Sequence, residues 1–135
     1  LRMRQHNENA GKVAAFLAQH DKISAVSWAG LPTSPYHQLA KKYLKGGAGS
    51  VFTATLKGGY EAGSRLVASC NLISHLANIG DTRSLIVHPA STTHRQLTSE
   101  QREAAGVGDG VIRLSIGIEH SEDIIADLAA ALDEV

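Results

Sequence analysis

The chain has 135 residues, with 13 basic and 13 acidic side chains, so its formal net charge is zero; 43% of its residues are apolar and 4% aromatic. This length fits one domain that buries about two-thirds of its unfolded surface, and the apolar share excludes an intrinsically disordered chain. No apolar run approaches the roughly 20 residues of a membrane helix, and a zero net charge gives no general pull toward nucleic acid or anionic lipid.

The chain opens Leu1-Arg2-Met3-Arg4, without an initiator Met and without the basic-then-apolar pattern of a signal peptide. A helical pattern is running within a few residues, so a piece of a longer polypeptide is expected. Ala10, Val13, Ala14 and Leu17 recur at three- and four-residue steps, and residues 5–20 read as an amphipathic helix. Ile23 to Trp28 is a short β-prone run. Ser34-Pro35 reads as a helix start, with Ser as N-cap and Pro as first helical residue; the helix runs to about Leu44 and stops at Gly46-Gly47.

Residues 50–56 are rich in β-branched side chains and read as a strand, broken at Gly58-Gly59. From Tyr60 to His75 the spacing predicts a helix with Leu66, Val67, Cys70 and Ile73 on one side. Cys70 is the only cysteine, so no internal disulfide is possible, which fits a reduced thiol and a cytoplasmic location. Leu85 to His88 reads as a short strand closed by Pro89. Thr98-Ser99-Glu100-Gln101 is a capping box that starts a short helix ending at Gly106. Val111 to Glu119 reads as a strand. Ser121 is the expected cap of a last helix, with Glu122 and Asp123 in the first turn, where the macrodipole favours acids. Ile124, Ile125, Leu128 and Leu132 form its expected buried stripe. About five helices and four strands interleave over short connections. That pattern predicts a two-layer α/β (α+β) sandwich, a sheet with helices on one face.

The segment from Val111 to Glu119 carries the most chemistry. Alternation puts Ile112, Leu114, Ile116 and Ile118 on one face, and Val111, Arg113, Ser115, Gly117 and Glu119 on the other. The aliphatic face must meet the helices, so Arg113 points away from them, between small residues. An arginine so placed can grip a carboxylate or phosphate with two parallel hydrogen bonds. By pattern alone, the commoner role is a solvated arginine paired with a neighbouring acid. In Ala77-Asn78-Ile79-Gly80-Asp81, Asn78 could donate to an anion, while the commoner role is a helix C-cap and turn.

Other chemistries lack a signature. His88 and His94, six apart across a proline, do not have metal-ligand spacing, and all seven histidines read as structural or exposed; no metal site is expected. There is no Gly-x-Ser-x-Gly, and Cys70 lies on an apolar helix face. The stretches Gly46-Gly47-Ala48-Gly49 and Gly58-Gly59 lack the endings of phosphate loops. Lys41, Lys42 and Lys45 read as a solvated helix end rather than a nucleic-acid patch.

Six ordered motifs nonetheless occur together. They are Gly30-Leu31, Leu39-Ala40-Lys41-Lys42-Tyr43, Leu56-Lys57-Gly58-Gly59, Ser74-His75-Leu76-Ala77-Asn78-Ile79-Gly80-Asp81, His88-Pro89-Ala90-Ser91-Thr92-Thr93-His94 and Ile112-Arg113-Leu114-Ser115-Ile116-Gly117-Ile118-Glu119. Over nearly the whole chain they resemble the C-terminal part of the Cys/Met-metabolism family of pyridoxal-phosphate (PLP) enzymes, and within it the O-acetylhomoserine sulfhydrylase branch. Trp28-Ala29 departs from the Tyr-Pro that usually precedes Gly30-Leu31 in that family.

The resemblance implies the aspartate-aminotransferase-like (fold type I) architecture. Residues 1–135 would be the single small C-terminal domain, with a mostly antiparallel sheet, and the PLP-binding large domain would lie outside this chain. The family's arginine that grips the substrate α-carboxylate falls on Arg113. In the lyase branches a serine supports the same carboxylate, and that position is Asn78 here. Asn78 together with Ser91-Thr92-Thr93-His94 points to the sulfhydrylase branch. None of the six lysines (Lys12, Lys22, Lys41, Lys42, Lys45, Lys57) sits in the family's PLP-lysine motif. The resemblance therefore implies no catalytic and no cofactor-binding residue in this chain, PLP elsewhere in the full-length enzyme, and no activity of this chain alone. The implied reaction is γ-replacement of acetate by sulfide to give homocysteine, in methionine biosynthesis. The implied partners are an amino-acid substrate and the chain's own large domain, in a cytoplasmic homotetramer. The alternatives are a cystathionine γ-synthase or γ-lyase-type enzyme of the same family, or a free-standing, non-catalytic carboxylate-binding module.

Overall fold

Two hydrophobic periods build the molecule, and a computed structural model describes all of it, Leu1–Val135. The period near 3.6 gives helix α1 (Arg2–Gln19), whose buried stripe is His6, Asn9, Ala10, Val13, Ala14 and Leu17. It also gives α3 (Gly59–Ser69), which buries Gly63, Leu66 and Val67, and α5 (Ser121–Asp133), which buries Ile124, Leu128, Ala131 and Leu132. The period of two gives β1 (Ile23–Ser27), β2 (Val51–Leu56) and β5 (Val111–Ser115). The shorter elements are α2 (His37–Tyr43), β3 (Ser74–His75), β4 (Leu85–Val87) and α4 (Ser99–Ala104).

The five strands form one sheet in the order β1-β2-β5-β4-β3. Every pairing is antiparallel except β3 with β4. Helices α1, α3 and α5 pack on one face, completing a two-layer α/β sandwich with a mostly antiparallel sheet. In the register, Phe52, Leu114 and Ile86 lie side by side on the helix face, and Ala54 lies opposite Ile112. All of them belong to a core of 20 buried residues. Each fully buried Leu or Ile there contributes about 1.5–3 kcal/mol over leaving it in water. One residue along, Thr53, Arg113 and Val87 lie side by side on the opposite face.

Several boundaries differ from the sequence reading: α1 begins at Arg2 rather than at residue 5, and α4 ends at Ala104, short of Gly106. The helix expected over 60–75 ends at Ser69, and a fifth strand, β3, occupies Ser74–His75. The Asp127 carboxylate on α5 accepts the N–H groups of Asn71 at 2.8 Å and Ile73 at 3.0 Å, which draws the chain out of the helix. Ser34 does not cap α2: its hydroxyl accepts the N–H of Tyr36 at 3.3 Å, within a turn, and the helix begins at His37. β5 ends at Ser115 rather than at Glu119. Past it, the Ile116 N–H donates to the Ser50 carbonyl and that of Ile118 to the Thr82 carbonyl, so the alternation lapses and Ile118 is exposed. On α5 the N-cap is His120, with no side-chain cap; Ser121 is the first helical residue and is buried. The capping box at Thr98 and Gln101 is formed as the sequence predicts, and Glu122 and Asp123 occupy the first turn of α5.

Candidate functional site

Arg113 sits in the middle of β5, half-buried, on the face away from the main core. Its Nη2 donates to the backbone carbonyl of Asn78 at 3.3 Å. The ion pairs made by Lys and Arg are Lys12–Glu8, Arg83–Asp81 and Arg102–Asp109, and His20 Nδ1 lies 3.3 Å from the Asp21 carboxylate. Arg113 is in none of them, so the acid-paired arginine that pattern alone would favour is not what this chain builds. A guanidinium has five N–H donors in a planar fork. One of them is used here, and the others remain available to an anion.

The structure brings Arg113 and Asn78 together, although they lie 35 positions apart. Asn78 is exposed, in the connection between β3 and β4. Its side-chain Oδ1 accepts the N–H of Ile79 at 2.9 Å, a local turn contact, and its Nδ2 has no partner within the chain. The helix C-cap role considered for Asn78 does not apply, because α3 has already ended at Ser69.

The strand face that carries Arg113 also builds the wall beside it. The Ser115 hydroxyl accepts the N–H of Gly80 at 3.3 Å, and Arg2 donates to the Gly80 carbonyl at 2.6 Å. Gly80 has φ 71°, a left-handed conformation that favours glycine. A Cβ on Gly117 would sit 2.3 Å from the Thr82 carbonyl oxygen, so only glycine permits this approach. The Glu119 carboxylate accepts the N–H of Ser84 at 2.6 Å and its hydroxyl at 2.9 Å. The Ser84 hydroxyl in turn accepts the N–H of Gly117 at 2.9 Å.

Helix α1 fixes this strand end from the other side. His6 Nδ1 donates to the Ile116 carbonyl at 2.6 Å. Asn9 Nδ2 donates to the carbonyls of Gly117 at 3.1 Å and Glu119 at 2.8 Å. These polar contacts were not foreseen from sequence. The available signal was that His6 and Asn9 share the buried stripe with Ala10 and Val13, where polar groups need partners.

The connection from β4 to β5 is held by a second network. His88 is fully buried, donating from Nε2 to the Asp109 carbonyl at 2.7 Å and accepting the Ser91 hydroxyl at Nδ1, 2.9 Å away. The Tyr60 ring packs edge-on against it, 5.1 Å between centroids. Arg102 grips the Asp109 carboxylate at 2.6 and 2.9 Å and also donates to the Leu97 carbonyl. The Ser99 hydroxyl, and then Arg102, hold the Asp109 carboxyl below the usual range. His88 therefore works as a structural brace, in line with the sequence reading of the histidines.

No group of three or more His, Cys, Asp or Glu side chains is arranged to hold a metal ion. Lys12 pairs with Glu8, and Lys22 donates to the Leu132 carbonyl at 2.6 Å. Lys41, Lys42, Lys45 and Lys57 are exposed. Lys22 and Lys57 border a surface cavity of about 240 Å³ that has no aromatic side chain in its lining.

The family model for Cys/Met metabolism PLP-dependent enzymes matches residues 1–133. The chain is 50% identical over 132 residues to O-acetyl-L-homoserine sulfhydrylase 1 of Thermus thermophilus, covering 98% of this chain and 31% of that protein. It is 49% identical over 135 residues to an L-methionine gamma-lyase of Fusobacterium nucleatum, covering all of this chain and 34% of that protein. A crystal structure assigned as an O-acetylhomoserine (thiol)-lyase from Campylobacter jejuni, which carries a pyridoxyl-lysine phosphate, superposes with a TM-score of 0.90 at 44% identity. The match covers 98% of this chain and 31% of that one. The chain thus spans about a third of the length of the relatives it matches.

Proposed function

The chain belongs to the Cys/Met metabolism PLP-dependent enzymes, and from that premise we propose that it supplies the substrate-carboxylate-binding part of an O-acetylhomoserine sulfhydrylase. The observation that carries this reading is Arg113: a mid-strand guanidinium with no acidic partner, tethered by one N–H to the Asn78 carbonyl. Residues 1–135 act as the small domain, and the large domain that holds PLP lies elsewhere in the polypeptide.

PLP supplies the electron sink for chemistry at the α and β carbons of an amino acid when bound. The residues of this chain do not fit it as a resident group. Lys12 and Lys22 are committed to partners within the chain, the cavity beside Lys22 and Lys57 offers no aromatic side chain to stack on a pyridine ring, and the cavity beside Lys41, at about 120 Å³, is too small for the ring and its phosphate. The role left to these residues is binding and orientation. The fork of Arg113 takes the two carboxylate oxygens, and the free Nδ2 of Asn78 adds a donor to the same anion. Fixing the carboxylate fixes the α-carbon, a positioning contribution. Acetate then leaves the γ-carbon of O-acetylhomoserine and sulfide takes its place, giving homocysteine.

The test is Arg113→Ala in the intact enzyme. KM for O-acetylhomoserine is expected to rise sharply, and an unchanged KM would sink the assignment. A lyase reading rests on the 49% identity to an L-methionine gamma-lyase. Homocysteine from O-acetylhomoserine and sulfide supports the sulfhydrylase; efficient thiol release from methionine supports the lyase.

A further inference from the structure

We propose that Glu119 is a positioning residue for the carboxylate site, acting through Ser84 on the segment that carries Asn78. This inference rests on the reading of Arg113 given above. Glu119 is half-buried and takes part in no ion pair. Its carboxylate is instead directed at two donors of one residue, the N–H and the hydroxyl of Ser84, at 2.6 and 2.9 Å. Hydrogen bonds to an ionised acceptor are short and strongly directional. Ser84 is fully buried, so its donors have no water to turn to.

Glu119 is itself held firmly. Asn9 of α1 donates to its backbone carbonyl at 2.8 Å. The Ser84 hydroxyl accepts from Gly117 at 2.9 Å, which closes the clamp on the same strand extension. From this root the segment runs back toward Asn78, touching the strand and its extension three times more: the Thr82 carbonyl on the Ile118 N–H, Gly80 on the Ser115 hydroxyl and the Asn78 carbonyl on Arg113. Arg113, Ser115, Gly117 and Glu119 are alternate residues, and each meets the 78–84 segment. Glu119 fixes the root of that segment, and so the carbonyl that sets the plane of the guanidinium. Without the carboxylate the root loosens, the Asn78 carbonyl leaves its place, and Arg113 spreads over several rotamers.

The experiment uses the intact holoenzyme with Glu119→Gln, Glu119→Ala and Arg113→Ala side by side. KM and kcat are measured with the amino-acid substrate. Inhibition constants are measured for a substrate-like α-amino acid and for its α-amide, which lacks the carboxylate. Glu119→Ala is expected to raise KM and the inhibition constant of the acid roughly tenfold, the low end of what losing one hydrogen bond to a charged group costs. The amide constant and kcat should change little. Glu119→Gln keeps one acceptor for the Ser84 N–H but presents an NH2 to the hydroxyl, so a smaller shift in the same direction is expected. Because Gln keeps the shape of Glu, it carries the test if the Ala variant fails to fold. Equal weakening of acid and amide would reduce Glu119 to a structural role and overturn the inference. Unchanged acid-over-amide preference in both Glu119 variants, with that preference lost in Arg113→Ala, overturns the inference and leaves Arg113 in place. A preference that survives Arg113→Ala removes the underlying reading, and the inference with it.

Discussion

The backbone carbonyl of Asn78 accepts a hydrogen bond from Nη2 of Arg113 at 3.3 Å and leaves the rest of the guanidinium fork free. One tether on a planar group restricts its rotation without occupying its anion-binding edge. Arg113→Lys keeps the charge and discards the fork. A hydrogen bond to a charged group contributes about 1.5–3 kcal/mol, so losing one should raise KM for the amino-acid substrate roughly ten- to hundredfold. Arg113→Ala, which also loses the charge, should cost more than Arg113→Lys. Steady-state kinetics of the two variants would rank them; equal KM for Lys and Arg would mean that the fork is not used.

Gly117 marks the closest approach of the strand to the 82–84 backbone. A methyl group there would lie 2.3 Å from the Thr82 carbonyl oxygen and 2.5 Å from the Arg83 carbonyl carbon. Neither backbone atom can rotate away as a flexible side chain can. Gly117→Ala should therefore destabilise by about 1–3 kcal/mol, the usual cost of overpacking. Gly46 is the control: a Cβ there meets nothing within 4 Å. Gly46→Ala should stay within about 0.5 kcal/mol of the parent. Urea denaturation of the three proteins gives both numbers, and similar stability for Gly117→Ala would require the 82–84 backbone to move.

The reach of the sequence was uneven, for physical reasons. Strict alternation placed Ile112, Leu114 and Ile116 in the core and Arg113 on the opposite face, because a period of two sends neighbouring residues to opposite faces; it did not show that Val111 and Ser115, beside Arg113, are buried too, nor that Ile118 is exposed. The capping box at Thr98 and Gln101 is a local code and was equally legible. The end of α3 was not, since what stops it is Asp127, more than 50 residues away in sequence. The same holds for the site. Arg113 and Asn78 could each be singled out, but their contact depends on how the 78–84 segment folds back. That path is set by Ser84, Gly117 and Glu119, none of which carries a recognisable signature alone.

Cys70 follows α3 directly, at its C-cap. Its thiol lies 3.4 Å from the Leu66 carbonyl. Burial, with the negative charge of Asp127 added, pushes the thiol up to about 12. The thiolate is the reactive form, so at pH 8 only about one molecule in ten thousand carries it, given a value near 12. Reaction with a thiol-specific disulfide reagent should be slow in the folded protein and become fast in denaturant. Rapid labelling under native conditions would show that the α3 end opens readily.

Asp109 supplies the last prediction, and its sign follows from its partners. The Ser99 hydroxyl, and then the Arg102 guanidinium, lower its carboxyl below the ordinary value of 3.8. The folded state thus favours the ionised form, and the stabilisation is present above the unfolded value and lost as pH falls through the folded one. Asp109→Asn removes the charge at every pH, leaving Arg102 without its anionic partner. The variant should be less stable than the parent at pH 7, and the difference should begin to shrink on acidification below about pH 4, where the carboxyl of the unfolded chain takes up a proton before that of the folded one. Denaturant melts of both proteins at pH 7 and pH 3 check this. A difference that is the same at both values would mean that Asp109 acts through its shape and neutral hydrogen bonding, with its charge contributing nothing.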